Sequence, residues 1–227
     1  MGATEEPSRL VHQLVAAAAS ENPTADIALQ LALLLDLRDL PLLEFVKVLG
    51  PTLTSDDVGL RVVAVRCLAE TLARLLAPVI SKQDVSVLVQ FLTAKLEDEK
   101  LSAYTLNALA SLVRVCTFVP YLSGNLDALL ARLCSSYDPR KHLARVRYEA
   151  FVLLDAVMEK HNDALAALPA LADAYITAFI HVASGEKDPR NLLLSFLLNR
   201  RINGTVAFDA RSANAAHNYF LAKLFDL

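Results

Sequence analysis

Three cysteines, Cys67, Cys116 and Cys134, and five histidines, His12, His142, His161, His181 and His217, are the residues of this 227-residue chain best suited to hold a soft metal or attack a substrate. Their spacing argues against both roles. The cysteine count is odd, the intervals are wide and no C-x-x-C occurs, so neither a disulfide framework nor a zinc or iron–sulfur ligand set is predicted. The two nearest histidines are nineteen positions apart, and none sits in an H-E-x-x-H pattern. Each histidine is expected at the surface or at a helix end. Ser195 stands outside any G-x-S-x-G elbow. Six scattered glycines form neither G-x-G-x-x-G nor a Walker loop, the arrangements that turn a row of backbone amides toward phosphate. The chain is therefore expected not to be an enzyme and to carry no cofactor or metal, with the three cysteines filling separate apolar core positions.

One charged cluster could do binding work. The run Arg140-Lys141-His142-Leu143-Ala144-Arg145-Val146-Arg147 can be read as a grip on nucleic acid or an acidic peptide. On one helix, however, Lys141 and Arg145 would share a solvated face while Arg147 turns toward a neighbouring helix pair, and no aromatic residues interleave to stack on bases. With 22 basic and 25 acidic residues, a net charge of −3 and a pI near 5.9, nothing in the global balance draws the chain to phosphate backbones or anionic lipid. No direct nucleic-acid partner is expected, and no membrane. The least charged window, Leu101 to Leu126, holds only Arg114 but is rich in Ser, Thr, Asn and Tyr and is broken by Pro120 and Gly124. Glu5 and Glu6 precede the first apolar stretch, the reverse of a secretory n-region. In a chain without export, Asn203-Gly204-Thr205 reads as a turn rather than a glycosylation site.

The elements that must position these residues are helices. Hydrophobic residues make up 55% of the chain, with 9 prolines and no tryptophan, and apolar residues recur at three- and four-residue steps. Leu60, Val63, Ala64, Cys67, Leu68, Thr71, Leu72 and Leu75 form one such stripe. The pattern predicts helices over roughly 7–20, 24–37, 41–49, 56–76, 82–96, 99–118, 125–135, 141–161, 164–183 and 189–199. Breaks are expected at Asn22-Pro23, Gly50-Pro51, Pro120, Gly124, Asp138-Pro139 and the Gly185 to Pro189 joint, with Pro41, Pro78 and Pro169 at a first turn or a kink. Asp56-Asp57 followed by Arg61 and Ala64 parallels Asp138 followed by Arg147 and Ala150. Arg61, Tyr104, Arg147 and Arg190 fall at 43-residue steps. A period in that range marks HEAT or armadillo arrays. The expected fold is all-α, an α-solenoid of HEAT-like antiparallel helix pairs, as one domain over 1–227 with repeats near 41–78, 82–119, 125–161 and 164–202. In such arrays the Asp and Arg at the joints form an inter-repeat ladder beside helix caps.

The joint Gly185-Glu186-Lys187-Asp188-Pro189-Arg190-Asn191 is explained locally as helix–turn–helix: Gly185 ends one helix in the left-handed region, Asp188 caps the next, and Pro189 takes its first position. Arg190 is expected to reach the preceding hairpin. Extended through Leu192-Leu193-Leu194-Ser195-Phe196, this run closely resembles a stretch near the N-terminus of the HEAT-repeat adaptor family of cytosolic iron–sulfur protein assembly. That family is named for methyl-methanesulfonate sensitivity, nucleotide-excision repair and transcription. The likeness extends more diffusely to Gly50-Pro51-Thr52-Leu53, the Arg61 repeat and Leu224-Phe225-Asp226-Leu227. Leu197-Leu198-Asn199-Arg200 intervene where the family runs directly to a basic residue and Ile, leaving the register of the last helices open. Family members are several times longer, so the chain resembles their N-terminal portion.

The resemblance implies a non-enzymatic scaffold, cytoplasmic and nuclear, without cofactors. Its partners would be a WD40-propeller subunit, a small acidic-loop subunit and iron–sulfur client enzymes of DNA repair, replication and transcription. Gly185 to Asn191 would serve as a structural or interaction signature. A general HEAT scaffold of nuclear transport or phosphatase assembly is the alternative. An enzyme with an unrecognised site would instead show a polar pocket of converging titratable groups.

Overall fold

The computed structural model describes residues 5–20, 22–76, 81–115, 119–204 and 218, without the side chains of 5, 6 and 119–124. Among these residues every regular element is helical. They belong to two compact units, Met1–Thr117 and Phe118–Leu227.

The first unit contains Glu5–Ala19 (α1), Ala25–Asp36 (α2), Leu42–Leu53 (α3), Val58–Leu72 (α4), Lys82–Lys95 (α5) and Ser102–Val115 (α6). Helix α4 is its hub, packing on α1, α2, α3 and α6. That many neighbours require a helix apolar on most sides, and α4 buries Ala64, Val65, Cys67, Leu68, Ala69, Thr71 and Leu72. Thr71 stays satisfied there because its hydroxyl donates to the Cys67 carbonyl at 2.9 Å. Each fully buried leucine contributes roughly 2 kcal/mol. Of the predicted stripe, Leu60 is exposed, because it lies in the first turn, ahead of the packed part of the helix.

The second unit contains Val119–Ser136 (α7), a single 3₁₀ turn at Pro139–Lys141, Ala144–Lys160 (α8), Asn162–Ala167 (α9), Pro169–Ala183 (α10) and Pro189–Gly204 (α11). Helix α7 packs on α10 and α8 packs on α11, so first helices stack on first helices and second on second, as in a solenoid. Tyr175 of α10 is fully buried, and its hydroxyl donates to the Leu154 carbonyl of α8 at 3.1 Å.

Several predicted breaks are not breaks. Helix α3 continues through Gly50-Pro51 to Leu53. Pro51 lacks the N–H for one ladder bond, but Leu49 and Leu53 are buried on the same face, and that burial carries the helix past the proline. The amide and hydroxyl of Thr54 then both close on the Gly50 carbonyl, at 3.0 and 2.9 Å. Helix α7 starts at Val119 and includes Pro120 and Gly124. Pro120 is its second residue, where no intrahelical donor is needed. In contrast, the predicted 164–183 helix is divided at Pro169, the first residue of α10, with Leu168 before it extended (φ −126, ψ 92). Asn203 and Gly204 are the last residues of α11 rather than a separate turn. The Asn203 amide donates to the Asn199 carbonyl at 2.9 Å. Pro78 lies outside the described residues.

The four positions at 43-residue steps all fall near helix starts: Arg61 in α4, Tyr104 in α6, Arg147 in α8 and Arg190 in α11.

Candidate functional site

Two arginines join successive helix pairs by the same construction. Arg61 donates backward through Nη1 to the carbonyls of Ser55 and Asp56, at 2.9 and 3.0 Å, which ties it to the loop before its own helix. Through Nη2 it donates forward to Asp98, 37 residues on, at 3.0 Å. Arg147 repeats this in the second unit. Its Nη1 donates to the His142 carbonyl at 2.7 Å, while Nε and Nη2 take both oxygens of Glu186, 39 residues on, at 2.8 and 2.6 Å. The second joint is the stronger. It is bidentate, and the Glu186 side chain has no exposed surface, whereas Asp98 keeps 29%.

Glu186 is the centre of the signature run. Its Oε1 also accepts the amides of Lys187 and Asp188, at 2.9 and 2.8 Å, and its Oε2 accepts Asn191 Nδ2 at 2.9 Å. Burial by itself would raise the carboxyl pKa. The Arg147 guanidinium, the Asp188 and Lys187 amides and the Asn191 side chain outweigh it and hold the pKa at about 2. Arg147 is raised in turn by its hydrogen bond to Glu186.

Gly185 has φ 76, the left-handed region that a side chain would strain. Asp188 Oδ1 accepts the amides of Arg190 and Asn191 at 3.0 and 3.3 Å and so caps α11, whose first residue is Pro189. Lys187 is exposed. Arg190 does not reach the preceding hairpin. Its side chain is 88% exposed, with Asp188 3.7 Å away. The coupling falls instead to the next residue, Asn191, whose Nδ2 also donates to the Ala144 carbonyl at 2.9 Å. The reason is helical phase: Asn191 lies on the buried face of α11 with Ser195, Leu198 and Ile202, and Arg190, one residue earlier, points away.

Two other expectations are corrected. Lys141 and Arg145 do not share a helix face, because Lys141 ends the 3₁₀ turn and α8 begins only at Ala144. Asp138 caps that turn, through the Arg140 amide at 3.1 Å, and not α8, whose cap position is Leu143. His142 and His161 are buried, and both stand at helix ends, as expected. His142 stacks on Tyr137 with ring centroids 4.8 Å apart, and His161 ends α8. His12 is exposed, and His181 donates from Nε2 to the Tyr137 carbonyl at 2.6 Å.

Cys67 is buried and its thiol is pushed up to about 12 by that burial. Cys134 is only half-buried, short of the expected core position, and is also raised by desolvation. Cys116 and His217 lie outside the described residues. Ser195 is buried, its hydroxyl donating to the Leu192 carbonyl at 2.8 Å. Among the described residues, no group of three His, Cys, Asp or Glu is arranged to hold a metal, and no helix is long and apolar enough to cross a membrane.

Residue spacing missed Glu186 and Asp98 as partners of the two arginines. A signal existed: each is an acid in the loop before the next second helix, 37 or 39 residues after its arginine rather than at the 43-residue step.

Residues 46–227 match the family model described as Dos2-interacting transcription regulator of RNA-Pol-II. The chain is 35% identical over 173 residues to the DNA repair/transcription protein MMS19 of Saccharomyces cerevisiae, covering 74% of the chain and 16% of that protein. It is 26% identical over 168 residues to the DNA repair/transcription protein mms19 of Schizosaccharomyces pombe, with 74% and 16% covered. Against the MMS19 nucleotide excision repair protein homolog of Danio rerio it is 28% identical over 163 residues, with 70% and 15% covered. The chain thus spans about a sixth of the length of these relatives. With its helical-pair architecture and a family match over most of its length, the chain belongs to the MMS19 family of DNA repair and transcription proteins, in that family's N-terminal region.

Proposed function

We propose that this chain is part of a non-enzymatic adaptor of the cytosolic iron–sulfur cluster targeting complex, working in cytoplasm and nucleus. There it would bring apo-enzymes of DNA repair, replication and transcription to a WD40-propeller subunit and a small acidic-loop subunit. The observation that carries the scaffold reading is that Glu186 and Asn191 of the signature bond across to Arg147 and Ala144 of α8 while Asp188 caps α11, so that the run joins one helix pair to the next. Stacked pairs of this kind offer a long ribbon of surface, which suits an adaptor that holds two partners together. Family membership supplies the setting of repair and transcription.

The test is affinity purification of the protein carrying this chain, tagged at its native locus, followed by mass spectrometry and iron analysis of client enzymes in cells depleted of it. The reading expects the propeller and acidic-loop subunits among the co-purified proteins and iron-poor clients after depletion. Recovery of a GTPase or a phosphatase core in their place, with clients fully loaded, would overturn it in favour of a transport or phosphatase scaffold.

A further inference from the structure

The family signature has an apolar half that the joint with α8 does not use. Helix α11 packs on α8 and turns Asn191, Ser195, Leu198 and Ile202 inward. On its opposite side Leu193, Phe196 and Leu197 keep 61%, 40% and 47% of their surface. By helical phase these three and exposed Arg200 form one stripe along the helix. Single exposed leucines need no explanation, but a contiguous apolar stripe with a polar end is the surface a further helix packs on.

The chain supplies a helix for it. Thr205 to Leu227 continue directly from the end of α11. Within that segment Ala216, Phe220, Leu224 and Leu227 recur at four- and three-residue steps. Asn218, the one described residue of the segment, is helical and exposed. On a helix it falls on the side opposite those four apolar residues, so the side it leaves to be buried is theirs. Residues 205–213 are enough to reverse the chain, since about two to eight suffice between antiparallel helices. From 216 to 227 a helix rises about 16 Å, which spans the roughly 10 Å from Leu193 to Arg200. A tethered segment also acts at an effective concentration on the order of millimolar, against which a second copy or a free partner must compete.

We propose that residues 216–227 form the helix that covers the outer side of α11, with Phe220 and Leu224 packing on Leu193, Phe196 and Leu197. The signature then couples in two directions. Its polar residues Glu186 and Asn191 hold α8 behind it, and its apolar residues Leu193 and Phe196 seat the helix ahead. The family match runs through both elements to residue 227. The inference is independent of the iron–sulfur reading, because it concerns the chain's own packing.

The test is amide hydrogen exchange, read by mass spectrometry on the 227-residue chain at two concentrations about tenfold apart. Residues 216–227 should exchange at least about tenfold more slowly than an unstructured chain, equally at both concentrations. Leu193→Ser with Leu197→Ser should raise their exchange about tenfold while α8 and α10 stay protected, since both leucines lie outside the buried side of α11. The reciprocal pair, Phe220→Ser with Leu224→Ser, should speed exchange in the last two turns of α11, and it decides alone if the first variant disturbs α8. Free-chain exchange of 216–227, protection there that survives the α11 substitutions, unchanged α11 exchange in the reciprocal variant, or protection seen only at the higher concentration would overturn the assignment, the last in favour of a second copy.

Discussion

Of the ionisable side chains in the signature, Glu186 is the one on which the joint depends. Its carboxylate has no exposed surface and accepts from four residues around it, so removing its charge leaves the Arg147 guanidinium, 19% exposed, facing a neutral amide. Glu186→Gln should lower unfolding stability by about 2–4 kcal/mol in urea titrations, the range for breaking a buried charged pair. Asp98→Asn, at the more exposed single contact with Arg61, should cost under about 1 kcal/mol. Equal losses at the two sites would contradict the ranking. The same residue sets a pH dependence. Its folded pKa of about 2 lies below the ordinary 4.5, so its contribution is fully present above about pH 4.5 and is lost as pH falls toward 2. The stability gap between wild type and Glu186→Gln should therefore close over that window. A gap that stays constant from about pH 6 to about pH 2.5 would show that the carboxylate is not held as described.

At the level of elements, periodicity located most helices because each must bury an apolar stripe. The 43-residue steps placed Arg61, Tyr104, Arg147 and Arg190 near four helix starts. What the pattern could not supply was phase and tertiary rescue. Asn191 rather than Arg190 meets the neighbouring pair because of a one-residue rotation that spacing does not resolve. Pro51 reads as a stop until the burial of Leu49 and Leu53 on either side is known. The end of α2 falls where the pattern put it, but how the helix ends was not legible. There Arg38 takes φ 62, with its amide on the Leu35 carbonyl at 3.0 Å and the Asp39 amide on the Leu34 carbonyl at 2.9 Å. This is the helix-ending arrangement in which glycine is usual. Arg38→Gly should consequently stabilise the chain by roughly 1 kcal/mol, read from the urea midpoint, because it relieves left-handed strain at an exposed residue. A destabilised variant would mean that the arginine side chain makes up for its backbone.

For the whole molecule, the family signature is a structural coupling, one of two joints among the described residues in which an arginine ties its own preceding loop to an acid before the next second helix. Arg201 of α11 pairs separately with Asp155 of α8. Energies in such arrays add over nearest neighbours, so damage to one joint stays local. The residues that carry the family likeness were legible in the sequence. Their partners were not, since a hydrogen bond across 39 residues is a property of the folded joint. Amide hydrogen exchange of the Glu186→Gln chain against wild type tests this most directly. Exchange should be faster in α11 and the first turns of α8, with α1 to α6 unchanged. Unchanged protection in α11, or an equal loss through α1 to α6, would contradict it.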